Sequence, residues 1–400
     1  MIDMNEYGRF AREIRGFDDL ELGYFQEVMQ RGKLSIFNNA GSMVERFQKA
    51  FADYVGAKHA LARCNGMAGL AEAVTVSGAG VGTEVLVDSV VHFGAVAAIY
   101  FNSVPRFVDI DPETYTMDPD SLRANITPQS KAVIVTHLWG LPARIDEIRA
   151  ICRQHDLFLI EDCAHAIGTR WKGQHVGTFG DIGMFSFQEF KQLSTGDGAM
   201  NVVKDTGLAD AMENVWAFSG ESPQMMTLNW RMNEMTAAVG LAQLERVDGI
   251  IRNYYNVTLK ILNEAIAECR WLRPRLVPKE ATQTGYWFAC TWQGDKHGLD
   301  YSRFKKLNDD LDIGLRFGFN QTAPYEFDFF RDARAYGHRC PNNCPFYTAE
   351  SDYAYKPGLC PNVEDVMPRL VTVSLIFLPI DEAKRTADTL RRAIDIMDKG

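Results

Sequence analysis

Between residues 59 and 203 the chain switches repeatedly between short, uninterrupted apolar runs and stretches with apolar residues at helical spacing. Six runs stand out: HALARC (59–64), EVLVDS (84–89), PRFVDI (105–110), AVIVTH (132–137), LFLIED (157–162) and IGMFSF (182–187). A strand with one wet face alternates apolar and polar positions, whereas a strand covered on both faces has no reason to alternate. Runs of this kind, interleaved with helices such as ARIDEIRAICRQH (143–155), predict an α/β fold with a mainly parallel sheet between two helical layers. Ligands of such sheets sit at the carboxyl ends of the strands. Asn65, His137, Glu161-Asp162 and Ser186 to Gln188 close the runs and are expected along one rim.

Flanking elements are set by the same patterning. Ser42-Met-Val-Glu45 has the spacing of a capping box and opens an amphipathic helix through Tyr54. Apolar residues from Met235 to Ile261 recur at helical spacing, giving one long helix or two in sequence leading out of the sheet region. Strand-like YWFACTW (286–292) and RLVTVSLIF (369–377) and a final helix from about Asp381 mark out the C-terminal part of the chain. The expected organisation is a large domain over 1–250, with an N-terminal helical arm, and a smaller α+β domain over 251–400. The Pro-, Cys- and Asn-rich stretch from Tyr336 to Pro361 reads as a long irregular loop.

Composition removes several function classes. A net charge of −10 without a Lys/Arg cluster disfavours nucleic acid. No apolar run reaches the roughly 20 residues that span a bilayer, and the charged N-terminus MIDMNEYGRFAREIRG lacks a signal-peptide core. A cytoplasmic protein is expected, and its eight scattered cysteines read as reduced thiols. Cys340-Pro-Asn-Asn-Cys344 has knuckle-like spacing, but no second ligand pair follows, so no metal site is expected.

Candidate chemistry concentrates in EDCAHAIGTRWKGQHVGTFGDIGMFSFQEFKQLSTGDGAM, residues 161–200. Asp162 ends one apolar run and Lys191 follows the next. A carboxylate that keeps a pyridine nitrogen protonated and a lysine that forms a Schiff base are what pyridoxal 5′-phosphate (PLP) requires of a protein. A strand-end Asp and a loop Lys are also ordinary structural residues. The hydroxyl- and glycine-rich T-G-D-G after Lys191 suits close backbone approach to a cofactor. Asn65-Gly66-Met67-Ala68-Gly69-Leu70 closes one strand and opens a helix, so its backbone N–H groups are placed to receive a phosphate, with Ser186 as an added hydroxyl.

These motifs resemble the DegT/DnrJ/StrS-type aminotransferases, PLP enzymes of the type I (aspartate-aminotransferase) fold that aminate keto-sugars and keto-cyclitols. Glu161-Asp162-Cys-Ala-His165-Ala matches the family's pyridine-binding strand end. Val176 through Lys191 matches V-G-x-x-G-D-x-x-x-F-S-F-x-x-x-K without a gap. Leu228-Asn229-Trp230-Arg231-Met232 matches G-x-N-[FW]-R-M apart from its lead-in. The resemblance is clear from about Gly32 to Val247. It implies a seven-stranded, mainly parallel sheet and a homodimer whose two chains share each active site. It implies Lys191 as Schiff-base lysine and proton shuttle, Asp162 at the pyridine nitrogen, Ser186 at the phosphate and His165 at the O3′ edge. Asn229 reaches the phosphate held by the partner.

Two departures matter. The family's phosphate turn carries a Thr where this chain has Met67, leaving Gly66, Met67 and Ala68 to act through N–H groups alone. The ring stacked on the cofactor falls at His92, with Phe93 as the alternative. His137, on the same rim, is equally well a satisfied core histidine. The implied reaction is ping-pong transfer from L-glutamate or L-glutamine to a keto-sugar, keto-sugar acid or keto-cyclitol, nucleotide-linked or free. VEDVMPRLVTVSLIFLP leans toward free sugar acids or cyclitols. A dehydratase of the same fold carries His in place of Lys191, and a non-catalytic regulator has no need of Asp162, Ser186, Lys191 and Asn229 together.

Overall fold

In a computed structural model of the chain, residues 4–36, 39–216, 228–320, 322–332, 335–336, 340–348 and 353–399 are described. Seven strands form the principal sheet: β1 His59–Arg63, β2 Glu84–Asp88, β3 Val104–Val108, β4 Ser130–Thr136, β5 Phe158–Asp162, β6 Ile182–Ser186 and β7 Ala199–Val203. Their order is β1-β7-β6-β5-β4-β2-β3. Only β7 runs against its neighbours β1 and β6; the other pairings are parallel.

The apolar runs are strands because both faces are buried. Val85 and Val87 join one apolar cluster with Phe107, Ile134 and Ile160, while Leu86 joins another with Val108, Val133 and Leu159. Each such side chain contributes about 1.5–3 kcal/mol on burial. The six runs of the sequence correspond to β1–β6; β7 is the addition.

Three N-terminal helices, α1 Met4–Arg15, α2 Asp19–Arg31 and α3 Met43–Val55, precede the sheet. The expected capping box is half formed. Ser42 Oγ accepts the Glu45 N–H at 3.0 Å, but the Glu45 carboxylate takes the Gly41 N–H at 2.6 Å rather than that of Ser42. Ser42's own N–H is already bonded to the Asn39 carbonyl. Helix α4 Gly66–Val76 follows β1 and α5 Phe93–Tyr100 follows β2. The long C-terminal run of helical spacing is both things expected of it: Glu234–Ile250 and Asn256–Ile266 are joined by a π turn at Ile251–Tyr255.

A second, antiparallel sheet comprises β8 Leu272–Pro274, β9 Trp287–Trp292, β10 Arg316–Phe317 and β11 Leu370–Ser374, in the order β8-β9-β11-β10. It packs with Asn256–Ile266 and the final helix Ile380–Asp398 around Trp271, Trp292 and Phe304. The described parts of the 336–361 stretch contain no helix longer than a turn and no strand. They lie along β2 and β3, where Tyr347 bonds Glu84 and the hydroxyls of Tyr353 and Tyr355 bond the Phe107 N–H and the Pro105 carbonyl.

Candidate active site

Parallel strands bring their carboxyl ends to one rim, and the register decides which side chains meet there. Thr136 pairs with Asp162 across β4 and β5, and Asp162 in turn with Met184 on β6. Asp162 is buried, and its Oδ1 accepts the Ala164 N–H at 3.0 Å. Burial raises its pKa, while the N–H of Ala164 and the positive charge of Lys191 work against that rise. Lys191 lies beyond the end of β6, its N–H bonded to the Gln188 carbonyl at 2.8 Å. Burial pushes the Lys191 amine down to about 8, opposed by the charge of Asp162. Lys191 Nζ donates to the hydroxyl of Tyr286 at 3.4 Å.

His165 occupies the same cluster. Its ring stacks on Tyr286, with centroids 4.5 Å apart and planes 20° from parallel. Burial, reinforced by the charges of Lys191 and Arg275, drives it well below the usual imidazole range, so it is neutral. Its Nδ1 is buried without a hydrogen-bond partner. Such an atom ordinarily costs free energy, and an acceptor or donor from a ligand would remove that cost.

The turn from β1 into α4 faces the end of β6. A Cβ placed on Gly66 would lie 3.2 Å from Ser186 Cβ and 3.3 Å from its Oγ, so this glycine leaves the hydroxyl uncovered. Asn65 caps the helix: its Oδ1 takes the Ala68 N–H at 2.8 Å and its carbonyl the Gly69 N–H. The N–H groups of Gly66 and Met67 stand ahead of the first intrahelical bond, where a helix has no internal acceptor for them. Trp230 docks beside this turn, its carbonyl accepting the Cys64 N–H at 2.8 Å, and Asn229 next to it is exposed. His92, half-buried at the start of α5, packs on Phe93 with ring centroids 4.4 Å apart and lies 6.1 Å from Phe327.

His137 is resolved in favour of the core. Its Nδ1 accepts the Ala143 N–H at 3.1 Å, which leaves the proton on Nε2, bonded to Glu161 at 2.9 Å. Glu161 also accepts the N–H groups of Gly177, Phe179 and Gly180 at 2.6–2.8 Å. His137, Glu161 and Cys163 place ligand-type atoms within 4.8 Å of one another, but those of the His and Glu are committed to these bonds. Among the described residues no such grouping includes Cys340, Cys344 or Cys360.

Two members of the rim were not singled out from the sequence, although Asp88 stands near the end of the run EVLVDS as Asp162 ends LFLIED. Tyr286 immediately precedes β9 and is far from Lys191 along the chain. Asp88 ends β2, and its Oδ2 accepts the Thr136 N–H at 2.7 Å. Burial raises Asp88 to about 7, against its bonds to Thr136 and with the nearby charge of Asp162 adding to the rise. A roomy cleft of about 770 Å³ exists elsewhere, between Phe10, Arg246, Tyr254 and Asp381, but it holds no comparable set of groups.

The chain is 37% identical over 252 residues to a GDP-perosamine synthase of Caulobacter vibrioides, covering 61% of this chain and 67% of that protein. It is 33% identical over 296 residues to an L-glutamine:2-deoxy-scyllo-inosose aminotransferase of Streptoalloteichus tenebrarius, covering 68% and 69%. The crystal structure of 3-amino-5-hydroxybenzoic acid synthase superposes with a TM-score of 0.80 at 26% identity, over 95% of this chain and 97% of that one. Residues 17–370 match the model of one family, and the chain belongs to it: the DegT/DnrJ/EryC1/StrS aminotransferases.

Proposed function

We propose that this chain transfers an amino group from L-glutamate or L-glutamine to a keto-sugar, keto-sugar acid or keto-cyclitol, with PLP carried on Lys191. The observation that carries the reading is the meeting, on one rim, of the buried strand-end carboxylate of Asp162 and the buried amine of Lys191, whose charges act on each other. The residues present fit the cofactor. The unpartnered Nδ1 of His165 and the hydroxyl left open by Gly66 suit a ring substituent and a phosphate. When bound, the cofactor supplies an electron sink that makes the substrate Cα proton removable.

The remaining work belongs to the chain. Asp162 would face the pyridine nitrogen and help keep it protonated. Ser186 Oγ and the Gly66 and Met67 N–H groups hold the phosphate at the start of α4, with Ala68, whose N–H is already capped, lining the turn. His165 would lie toward the O3′ edge of the cofactor, and His92, or Phe93, would cover its ring face. Lys191 Nζ takes a proton from one carbon and returns it to another, a task for which an amine pushed to about 8 is suited at neutral pH. The enzyme alternates between two half-reactions, as a homodimer in which Asn229 serves the partner's phosphate.

The relatives' names support both acceptor classes, one naming a GDP-linked sugar and the other a cyclitol aminated from L-glutamine. The apolar cluster around Trp271, Trp292 and Phe304 supports a division near residue 250, while Ala289 and Leu370 of the second sheet share the core cluster of the principal sheet. The purified protein should be yellow, and L-glutamate or L-glutamine should bleach it until a keto-acceptor restores the colour. A colourless protein that PLP does not tint, or a band indifferent to both amino acids, contradicts the proposal.

A further inference from the structure

The segment carrying Tyr286 is fastened to the Lys191 region more firmly than one side-chain contact requires. Gln192, buried and adjacent to Lys191, donates from Nε2 to the Gly285 carbonyl at 2.9 Å, with Thr284 Oγ1 at 3.3 Å and the His165 carbonyl at 3.5 Å. Thr284 N–H bonds the Gly140 carbonyl and Thr284 Oγ1 meets that of Thr169 at 2.8 Å. Gly285 N–H bonds Asn256 Oδ1 at 2.8 Å, and a Cβ on Gly285 would come within 2.2 Å of the Tyr255 carbonyl oxygen. On the other side, the Tyr286 carbonyl accepts the Leu375 N–H beside β11. These bonds leave Tyr286 little freedom: its ring lies on His165 and its hydroxyl faces Lys191 Nζ. The Nζ also sits 5.3 Å from the centre of the Tyr286 ring.

We infer that Tyr286 is a positioning residue that holds Lys191 Nζ whenever that amine is free, presenting its hydroxyl oxygen as acceptor and keeping the amine poised for its proton transfers. The inference rests on the role proposed for Lys191. It also makes the second sheet a participant, because Tyr286 enters the site from the start of β9. No bond is made or broken by Tyr286. It stabilises the protonated amine by one hydrogen bond and limits where the released side chain can go.

The sign of the effect is set by the donor. Lys191 gives the hydrogen and the phenol oxygen receives it, so removing the oxygen disfavours the ammonium form. In Tyr286→Phe the ring that stacks on His165 is kept and only the acceptor is lost. The titration of Lys191, read in the cofactor-stripped full chain from the pH dependence of its labelling by an amine reagent, should move down by about half a pH unit. In the loaded enzyme, kcat for the glutamate half-reaction should fall about threefold, the same free energy as about half a pH unit, with KM little changed. If the Phe variant folds poorly, incorporation of a fluorinated tyrosine at 286 preserves shape while weakening the acceptor. The Lys191 midpoint should then fall part of the way.

An unchanged Lys191 midpoint in both variants overturns the inference. The labelling experiment is independent of cofactor chemistry. A coupled midpoint in a chain whose Lys191 does not carry the cofactor would therefore overturn the proposed function while leaving the Tyr286–Lys191 contact established.

Discussion

Burial draws the proton off Lys191 while the carboxylate of Asp162 helps to keep it on, and the balance leaves the amine at about 8 instead of its ordinary 10.5. The cofactor-stripped chain should therefore recapture added PLP at a rate that climbs with pH and levels off above a midpoint near 8. A midpoint near 10.5 would show that the site does not desolvate Lys191. Asp162→Asn removes the charge that favours the ammonium, so the same midpoint should fall further. The substitution also takes away the partner of the pyridinium. Losing one member of such a buried pair costs about 3–5 kcal/mol, so glutamate-driven bleaching should slow at least about a hundredfold. Stopped-flow absorbance measures it, and a rate close to that of the unaltered enzyme would remove Asp162 from its proposed role.

Elements matter here because each functional group is held by a strand end or a helix start that other residues fasten. Glu161 binds His137 and three loop N–H groups at Gly177, Phe179 and Gly180, and so ties the segment before β6 to the sheet. Glu161→Ala leaves the buried donors of His137 and Gly177 unpaired, at about 1–3 kcal/mol for each group, and frees the half-buried N–H groups of Phe179 and Gly180. Thermal melting should show a loss of more than about 3 kcal/mol, with Ser186 and Lys191 displaced and PLP retention weakened. A melting temperature within a degree or two of the parent would contradict this reading of Glu161.

The same scale shows what was legible in the sequence. Strands buried on both faces announced themselves as apolar runs. Strand β7 did not, since Asn201 interrupts it; that polar side chain is buried because its Nδ2 bonds the Gly69 carbonyl and Glu72. The rim residues on β5, β6 and the β1–α4 turn were readable because strand ends and motif spacing are local. Tyr286 was not, since its partner Lys191 is brought to it only by tertiary folding and its run resembled ordinary core.

At the scale of the whole molecule, Asn229 is exposed, as a residue that serves a partner's phosphate would be. Exchange between Lys191→Ala and Asn229→Ala subunits tests whether it serves a partner. A hybrid dimer would combine the intact Lys191 of one chain with the intact Asn229 of the other in one site. Activity at low PLP should then rise well above the mean of the parents, and a flat mixing curve, with exchange verified by mass, would reject a shared site.

The expectations for Asp162 and Asn229 depend on Lys191 carrying the cofactor. Reduction of the yellow protein with borohydride, followed by peptide mapping across the full chain, tests that claim most directly, since every other lysine serves as an internal control. The label should fall on the peptide containing Ser186-Phe-Gln-Glu-Phe-Lys191 and vanish in Lys191→Ala. A stoichiometric label on any other lysine would contradict the account.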